Sequence, residues 1–246
     1  MFSLDFLLLL AAGAVAGGFI NGLAGFGTAL FALGWWLQIM PPLQAVALVL
    51  TISVFTGIQG VWYVRHAIHW RRLGTFLVPG LIGIPIGLQI LWLIDAGVLK
   101  LVIASFLLLY GTFFLLRRDL PGMTKETPLI DACIGFVSGI LGAIAGLSGA
   151  LPTMWVALRD WTKEQSRALL QPFNVVILGT SAVLLAIEGT YTSETLILLA
   201  IVMPLALISA QLGFMVFRRL PTTRFRRLLI ILMFLSGFIL MARELF

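Results

Sequence analysis

The sequence predicts an all-α polytopic membrane protein. It is expected to form one integral membrane domain of two inverted-topology repeats, 1–120 and 121–246, each a broken helix hairpin followed by three transmembrane helices. Three observations carry this. The 246 residues are 61% hydrophobic and only 11% charged, with a mean hydropathy of +1.10, whereas a soluble domain carries about 25% charge. Eight apolar tracts, at roughly 4–40, 44–64, 74–94, 97–117, 129–158, 164–187, 193–217 and 223–243, reach the length of about 20 residues that a bilayer-crossing helix needs. The stretch Gly17-Gly18-Phe19-Ile20-Asn21-Gly22-Leu23-Ala24-Gly25-Phe26-Gly27-Thr28 recurs, altered, as Gly135-Phe136-Val137-Ser138-Gly139-Ile140-Leu141-Gly142-Ala143-Ile144-Ala145-Gly146-Leu147-Ser148-Gly149.

The first tract is too long for one span. A straight helix over it runs about 55 Å at 1.5 Å per residue, against a hydrocarbon core of about 30 Å. It must fold back into two shorter helices, and the glycine-rich break is where it does so. Its start, Met1 to Gly18, lacks the positive n-region of a signal peptide and reads as part of the membrane segment. The second tract opens at Pro41-Pro42-Leu43-Gln44, and the third carries Pro79 and Pro85 as hinges or kinks. The fourth follows Asp95. The longest polar stretch, Arg117 to Glu126, leaves no room for a soluble domain. The fifth tract repeats the hairpin logic at Gly146–Gly149. The sixth holds Pro172 and the seventh Pro204, and the eighth ends the chain. The tryptophans Trp35, Trp36, Trp62, Trp70, Trp92, Trp155 and Trp161 fall mostly at tract ends and read as an interfacial belt.

The halves align with a nearly constant offset. Gly25 pairs with Gly146 and Gln44 with Gln165, both 121 apart. Pro79 pairs with Pro204, 125 apart, and Lys100 with Arg226 and Gly111 with Gly237, 126 apart. Charge then sets orientation. Fourteen of the 16 basic residues fall in four connections: Arg65, Arg71 and Arg72; Arg117, Arg118 and Lys125; Arg159, Lys163 and Arg167; and Arg218, Arg219, Arg224, Arg226 and Arg227. The other connections hold Asp95, or Glu188 and Glu194, or no charge. The positive-inside rule places the fourteen in the cytoplasm. Equivalent loops then lie on opposite sides, so the repeats are inverted and both termini are outside. Inverted repeats with paired helix breaks are the sequence mark of a secondary transporter, with its site at the breaks.

The pattern resembles the sulfite exporter TauE/SafE family of bacterial permeases. Three places carry the resemblance: Gly18 to Thr28; Pro41-Pro42-Leu43-Gln44-Ala45-Val46-Ala47; and Gly146-Leu147-Ser148-Gly149-Ala150-Leu151-Pro152 followed by Gln165-Ser166-Arg167-Ala168 and Gln171-Pro172-Phe173-Asn174. With the eight tracts it covers nearly the whole chain. The resemblance implies transport, as a rule export, of sulfite, organosulfonates or other small sulfur-containing anions across the bacterial inner membrane. Many members have a polar Thr or Asn soon after the second motif, where this chain has Leu48, Val49 and Leu50. Substrate preference is expected to differ accordingly.

The chemistry must come from neutral polar groups and helix ends. Asp5, Asp95, Asp131, Glu188 and Glu194 all fall at tract ends, so no carboxylate relay is expected in mid-membrane. Enzyme motifs are absent. The lone Cys133 builds neither disulfide nor metal site, and no cofactor or metal is expected. The net charge of +6 reads as cytoplasmic loops rather than nucleic-acid binding. His66 and His69, beside Arg65 and Arg71, read as lipid headgroup contacts. If the chain turns at Gly25–Gly27 and Gly146–Gly149, helices begin at Thr28 and near Ser148. Their free N–H groups and dipoles then suit an anion. Alternatively the glycines only permit tight helix crossing. Asn21 lies beside the first break. Gln165 opens the next helix, in which Arg167, Gln171 and Asn174 share one face at i, i+4, i+7, with Gln44 and Thr51 as the first-half counterpart. These side chains either face substrate or hydrogen-bond between helices. Arg167 either snorkels to lipid phosphate, the favoured reading, or receives the anion. The competing functions are an anion channel and a non-transporting or lipid-handling assembly.

Overall fold

The computed structural model describes residues 3–116, 126–159 and 161–219. Among them are no strands and nine α-helices: α1 (Leu4–Ala24), α2 (Thr28–Trp36), α3 (Pro42–Val64), α4 (Trp70–Leu93), α5 (Ala96–Leu116), α6 (Pro128–Ala145), α7 (Ala150–Val156), α8 (Lys163–Ile187) and α9 (Ser193–Arg219). Six of these, α1, α3, α4, α6, α8 and α9, are long and apolar enough to cross a membrane. The fold is therefore an all-α, multi-pass membrane architecture. The eighth apolar tract, with Arg226 and Gly237, lies outside the described residues, as does most of the polar stretch between α5 and α6.

Both long tracts break where the glycines stand. Gly25 closes α1 in the left-handed region at φ 82° and donates to the Asn21 carbonyl at 2.7 Å. Gly27, at φ 99°, opens α2. Gly146 closes α6 at φ 68°. A Cβ disfavours that conformation by about 1–2 kcal/mol. Each tract folds into two shorter helices, as expected, but the hairpins are lopsided. The first arms run 21 and 18 residues, and the return arms only 9 and 7. At 1.5 Å per residue the 21 residues of α1 reach about 31 Å, the thickness of the hydrocarbon core, whereas α2 and α7 are too short to cross it.

Packing interleaves the two halves of the chain. The face of α1 lies on α9: Gly18 faces Ala206 and Ser209, Gly22 faces Ala210, and Gly213 faces the backbone of Phe19. The face of α6 lies on α4: Gly139 faces Gly80, Gly135 faces Phe76, and Gly83 faces Phe136. At each position a Cβ would overlap the opposing backbone, so glycine sets the interhelical distance. Between these pairs run α3 and α8. Every side chain from Ala45 to Leu50 is fully buried, the signature of a helix packed on all sides. On α4, Val78, Ile82, Ile86, Ile90 and Leu93 form an exposed apolar stripe at helical spacing, a surface suited to lipid rather than water.

Candidate functional site

The middle of α3 orders the site. Gly57 stands seven residues before its C-terminal end and Val49 seven after its start. Each is thus about 10 Å from the nearer end, and the two are about 12 Å apart. The first break meets α3 and α8 near Gly57. The second break meets α3 at Val49, where a Cβ on Gly146 would lie 2.8 Å from Val49 Cγ1 and 3.3 Å from Ala29 Cβ. The two breaks also touch each other, since a Cβ on Gly149 would lie 2.6 Å from Phe26 Cβ. The hairpin tips therefore meet inside the bundle.

Polar groups gather at the first break. Asn21, buried on the last turns of α1, donates Nδ2 to Thr56 Oγ1 at 2.5 Å and to the Ser53 carbonyl at 3.3 Å, while its Oδ1 has no partner. Thr28, the first residue of α2, is buried with its Oγ1 unpartnered. The first N–H groups of α2 have no intrahelical acceptor, and its N-cap, Gly27, supplies no side chain. From α8, Gln171 donates Nε2 to the Gly57 carbonyl at 3.2 Å. Its amide fits because Gly25, Gly57 and Gly60 lack side chains. A Cβ on Gly60 would lie 2.5 Å from Gln171 Cδ, and one on Gly25 would meet Oε1. That Oε1 is buried and unpartnered.

Arg167 is the unusual member. It is 6% exposed and so does not snorkel, against expectation. The guanidinium donates Nη2 to the Gly22 carbonyl at 3.1 Å. It lies 4.2 Å from the Phe217 ring centroid and 5.3 Å from that of Phe214. Nε and Nη1 are buried without partners. A Cβ on Gly25 would lie 3.7 Å from Nε, so the guanidinium borders the break. Gly25 leaves room for it at the break, while the space beside Gly22 is taken by Ala210 of α9. Sequence reasoning missed Phe214 and Phe217 on α9 and Ser53, Thr56, Gly57 and Gly60 on α3. The pair of glycines spaced i, i+3 was the available signal for a close approach on α3.

The remaining sequence-predicted residues divide. Asn174 Oδ1 accepts from Ser148 Oγ, and both are buried, which ties α8 to the second break. Gly149 has φ −84°, so space rather than backbone conformation demands glycine there. The structure does not bring Gln44, Thr51 or Gln165 to the breaks. Gln165 is exposed and completes a capping box with Thr162. Gln44 donates Nε2 to Thr195 Oγ1 at 3.5 Å. Thr51 Oγ1 shares a 2.8 Å hydrogen bond with Tyr191 OH. Burial pushes the Tyr191 phenol up, against the opposing effect of that bond, so it is protonated at neutral pH. The second break is faced by Val49 and Leu50, at the positions where the resemblance expects polarity.

A comparison with protein-family models matches residues 9–240 to the family described as sulfite exporter TauE/SafE. No curated protein and no solved structure matches the chain.

Proposed function

The chain belongs to the sulfite exporter TauE/SafE family, and from that premise we propose that it exports a small sulfur-containing anion, sulfite or an organosulfonate. It does so as a secondary transporter of the bacterial inner membrane, by alternating access between two inverted repeats with both termini outside. The anion is held at the first break, between the N-terminus of α2 and the α8 face bearing Arg167 and Gln171. Both repeats contribute to the packing around it. The reciprocal crossings α1–α9 and α4–α6 support the repeat: offsets of 121 and 126 carry Gly18 and Ala206 onto Gly139 and Gly80.

The single observation that carries this reading is the buried Arg167. A guanidinium out of water costs several kcal/mol unless an anion accompanies it. Its surroundings supply a carbonyl and two aromatic rings, with two nitrogens left unpartnered. A sulfur oxyanion at the break provides the missing charge and accepts those protons, aided by the positive end of α2. Releasing it outward needs no coupling ion, because an inside-negative potential supplies about 2.3 kcal/mol per charge per 100 mV.

Reconstitution tests it. Proteoliposomes loaded with ethanesulfonate should show saturable flux accelerated by the same anion on the far side, which a channel does not give. Arg167→Gln should abolish binding. Arg167→Lys should lower affinity about 10- to 150-fold, because a point charge loses the planar set of donors. Unaltered ethanesulfonate and sulfite binding in Arg167→Gln protein overturns the site.

A further inference from the structure

We propose that Gln44, Thr51, Tyr191 and Thr195 form a closed gate at the outer end of the bundle, and that the basic cleft beside Gln165 is its open counterpart at the cytoplasmic end. This rests on the transporter reading above and assigns a role to the three predicted polar residues that lie away from the breaks.

The argument starts from a repeated triplet. Gln44, Ala47 and Leu48 on α3 correspond to Gln165, Ala168 and Leu169 on α8, each pair 121 residues apart and each identical. At 100° per residue the three share one helix face, and on α8 it is the face opposite Arg167 and Gln171. An offset of 125, that of Pro79 and Pro204, matches Tyr191 with His66 and Thr195 with Trp70.

The two equivalent places differ in the structure. At the α3 end the triplet's face is sealed. Gln44 bonds Thr195, Thr51 bonds Tyr191, and Tyr191 OH donates to the Ala47 carbonyl at 3.3 Å. At the α8 end a cleft of about 600 Å³ separates the partners, lined among others by His66, Trp70, Gln165, Ala168 and Leu169. A second cleft of about 250 Å³ adjoins it through His69, Arg71 and Arg72. Asp131, on the far wall, is engaged by Arg159 at 3.1 Å and Trp155 at 2.6 Å, and Arg72 lies over Trp161. Arg71, Arg72 and Arg159 stand against Glu126 and Asp131 in the lining, so the mouth carries a small excess of positive charge, which raises local anion concentration. Two pseudo-equivalent mouths, one latched and one open, are the two half-states that alternating access exchanges. Three neutral hydrogen bonds are a suitable latch, since each contributes only modest net stability.

The test uses Cys133→Ser protein, because Cys133 is exposed and free. Leu48→Cys is labelled with an impermeant maleimide from the outer side. Tyr191→Phe keeps the ring and removes the hydroxyl, and with it two of the three bonds, so labelling should quicken roughly 5- to 150-fold, the ratio expected for two neutral hydrogen bonds. In a second variant, Gln44→Cys with Thr195→Cys, a short bifunctional thiosulfonate should stop ethanesulfonate counterflow, and dithiothreitol should restore it. Ethanesulfonate serves because sulfite would itself cleave the cross-link. Unchanged labelling in Tyr191→Phe, or counterflow that survives the cross-link, overturns the gate. Absence of counterflow in the uncross-linked protein sinks the transporter reading instead, while the labelling ratio still reports whether the latch closes this mouth.

Discussion

Side chains that look equivalent along α8 differ once their partners are known. Gln171 and Asn174 share a face, but Asn174 Oδ1 is committed to Ser148 Oγ. Gln171 uses one proton on the Gly57 carbonyl and leaves Oε1 bare. It is the acceptor Oε1 that borders Gly25, so the second Nε2 proton of Gln171 reaches an anion beside Arg167 only when the amide turns over. Gln171→Ala should weaken ethanesulfonate binding about 10- to 150-fold, the cost of a hydrogen bond to a charged group, with little loss of thermal stability. Asn174→Ala should do the reverse, leaving Ser148 without a partner at a cost of about 1 kcal/mol. Titration calorimetry and detergent melting curves separate the two. Equal affinity losses in both variants would return Asn174 to the binding face.

At the scale of elements, the two hairpins are braced differently. In the first, Trp36 is fully buried and donates Nε1 to the Leu10 carbonyl at 3.1 Å. In the second, Trp155 donates to Asp131 Oδ1, which also pairs with Arg159. Both tryptophans belong to braces rather than to an interfacial belt, while Trp62, Trp70 and Trp92 remain exposed. A return arm of 7 or 9 residues is too short to be stable alone, so each depends on its brace. Asp131→Asn weakens a largely buried charge-assisted contact worth about 1.5–3 kcal/mol. At about 2–4 °C per kcal/mol for a chain of this size, the melting midpoint should fall by about 3–12 °C. A shift under 1 °C would show that the brace carries no stability. Gln38, near the end of α2, instead bonds back to the Gly34 carbonyl, so the first hairpin has no comparable charged brace to remove.

Over the whole molecule, interleaving means that neither half of the chain is a separable body. α1 packs on α9 and α6 on α4, through glycines that leave no room for a Cβ. The proposed inverted topology predicts opposite sidedness for Asp119 and Glu188. In Cys133→Ser protein, Asp119→Cys should be protected from impermeant reagent outside the cell and Glu188→Cys should react. The same sidedness at both positions would refute the inversion. Under the proposed orientation the open basic cleft faces the cytoplasm, where an exported anion would enter.

The sequence alone determined the features that depend on local backbone and on solvent. Apolar length selects membrane helices because lipid offers no hydrogen bonds. The hairpins turn at Gly25, Gly27 and Gly146 because left-handed backbone is cheap only for glycine. The start of α2 at Thr28 follows from the same residues. Arg167 and Gln171 were legible as polar residues in an apolar helix, but not the surroundings that give them meaning. Phe214 and Phe217 lie about fifty residues downstream, and only the α1–α9 crossing carries them to Arg167. Likewise nothing local distinguishes Gln44 from Gln165. They open identical triplets, yet one meets Thr195 and the other borders a cleft. Tertiary structure decided those contacts because they depend on which helices adjoin, and helix adjacency is set by close packing summed over whole faces rather than by any short segment.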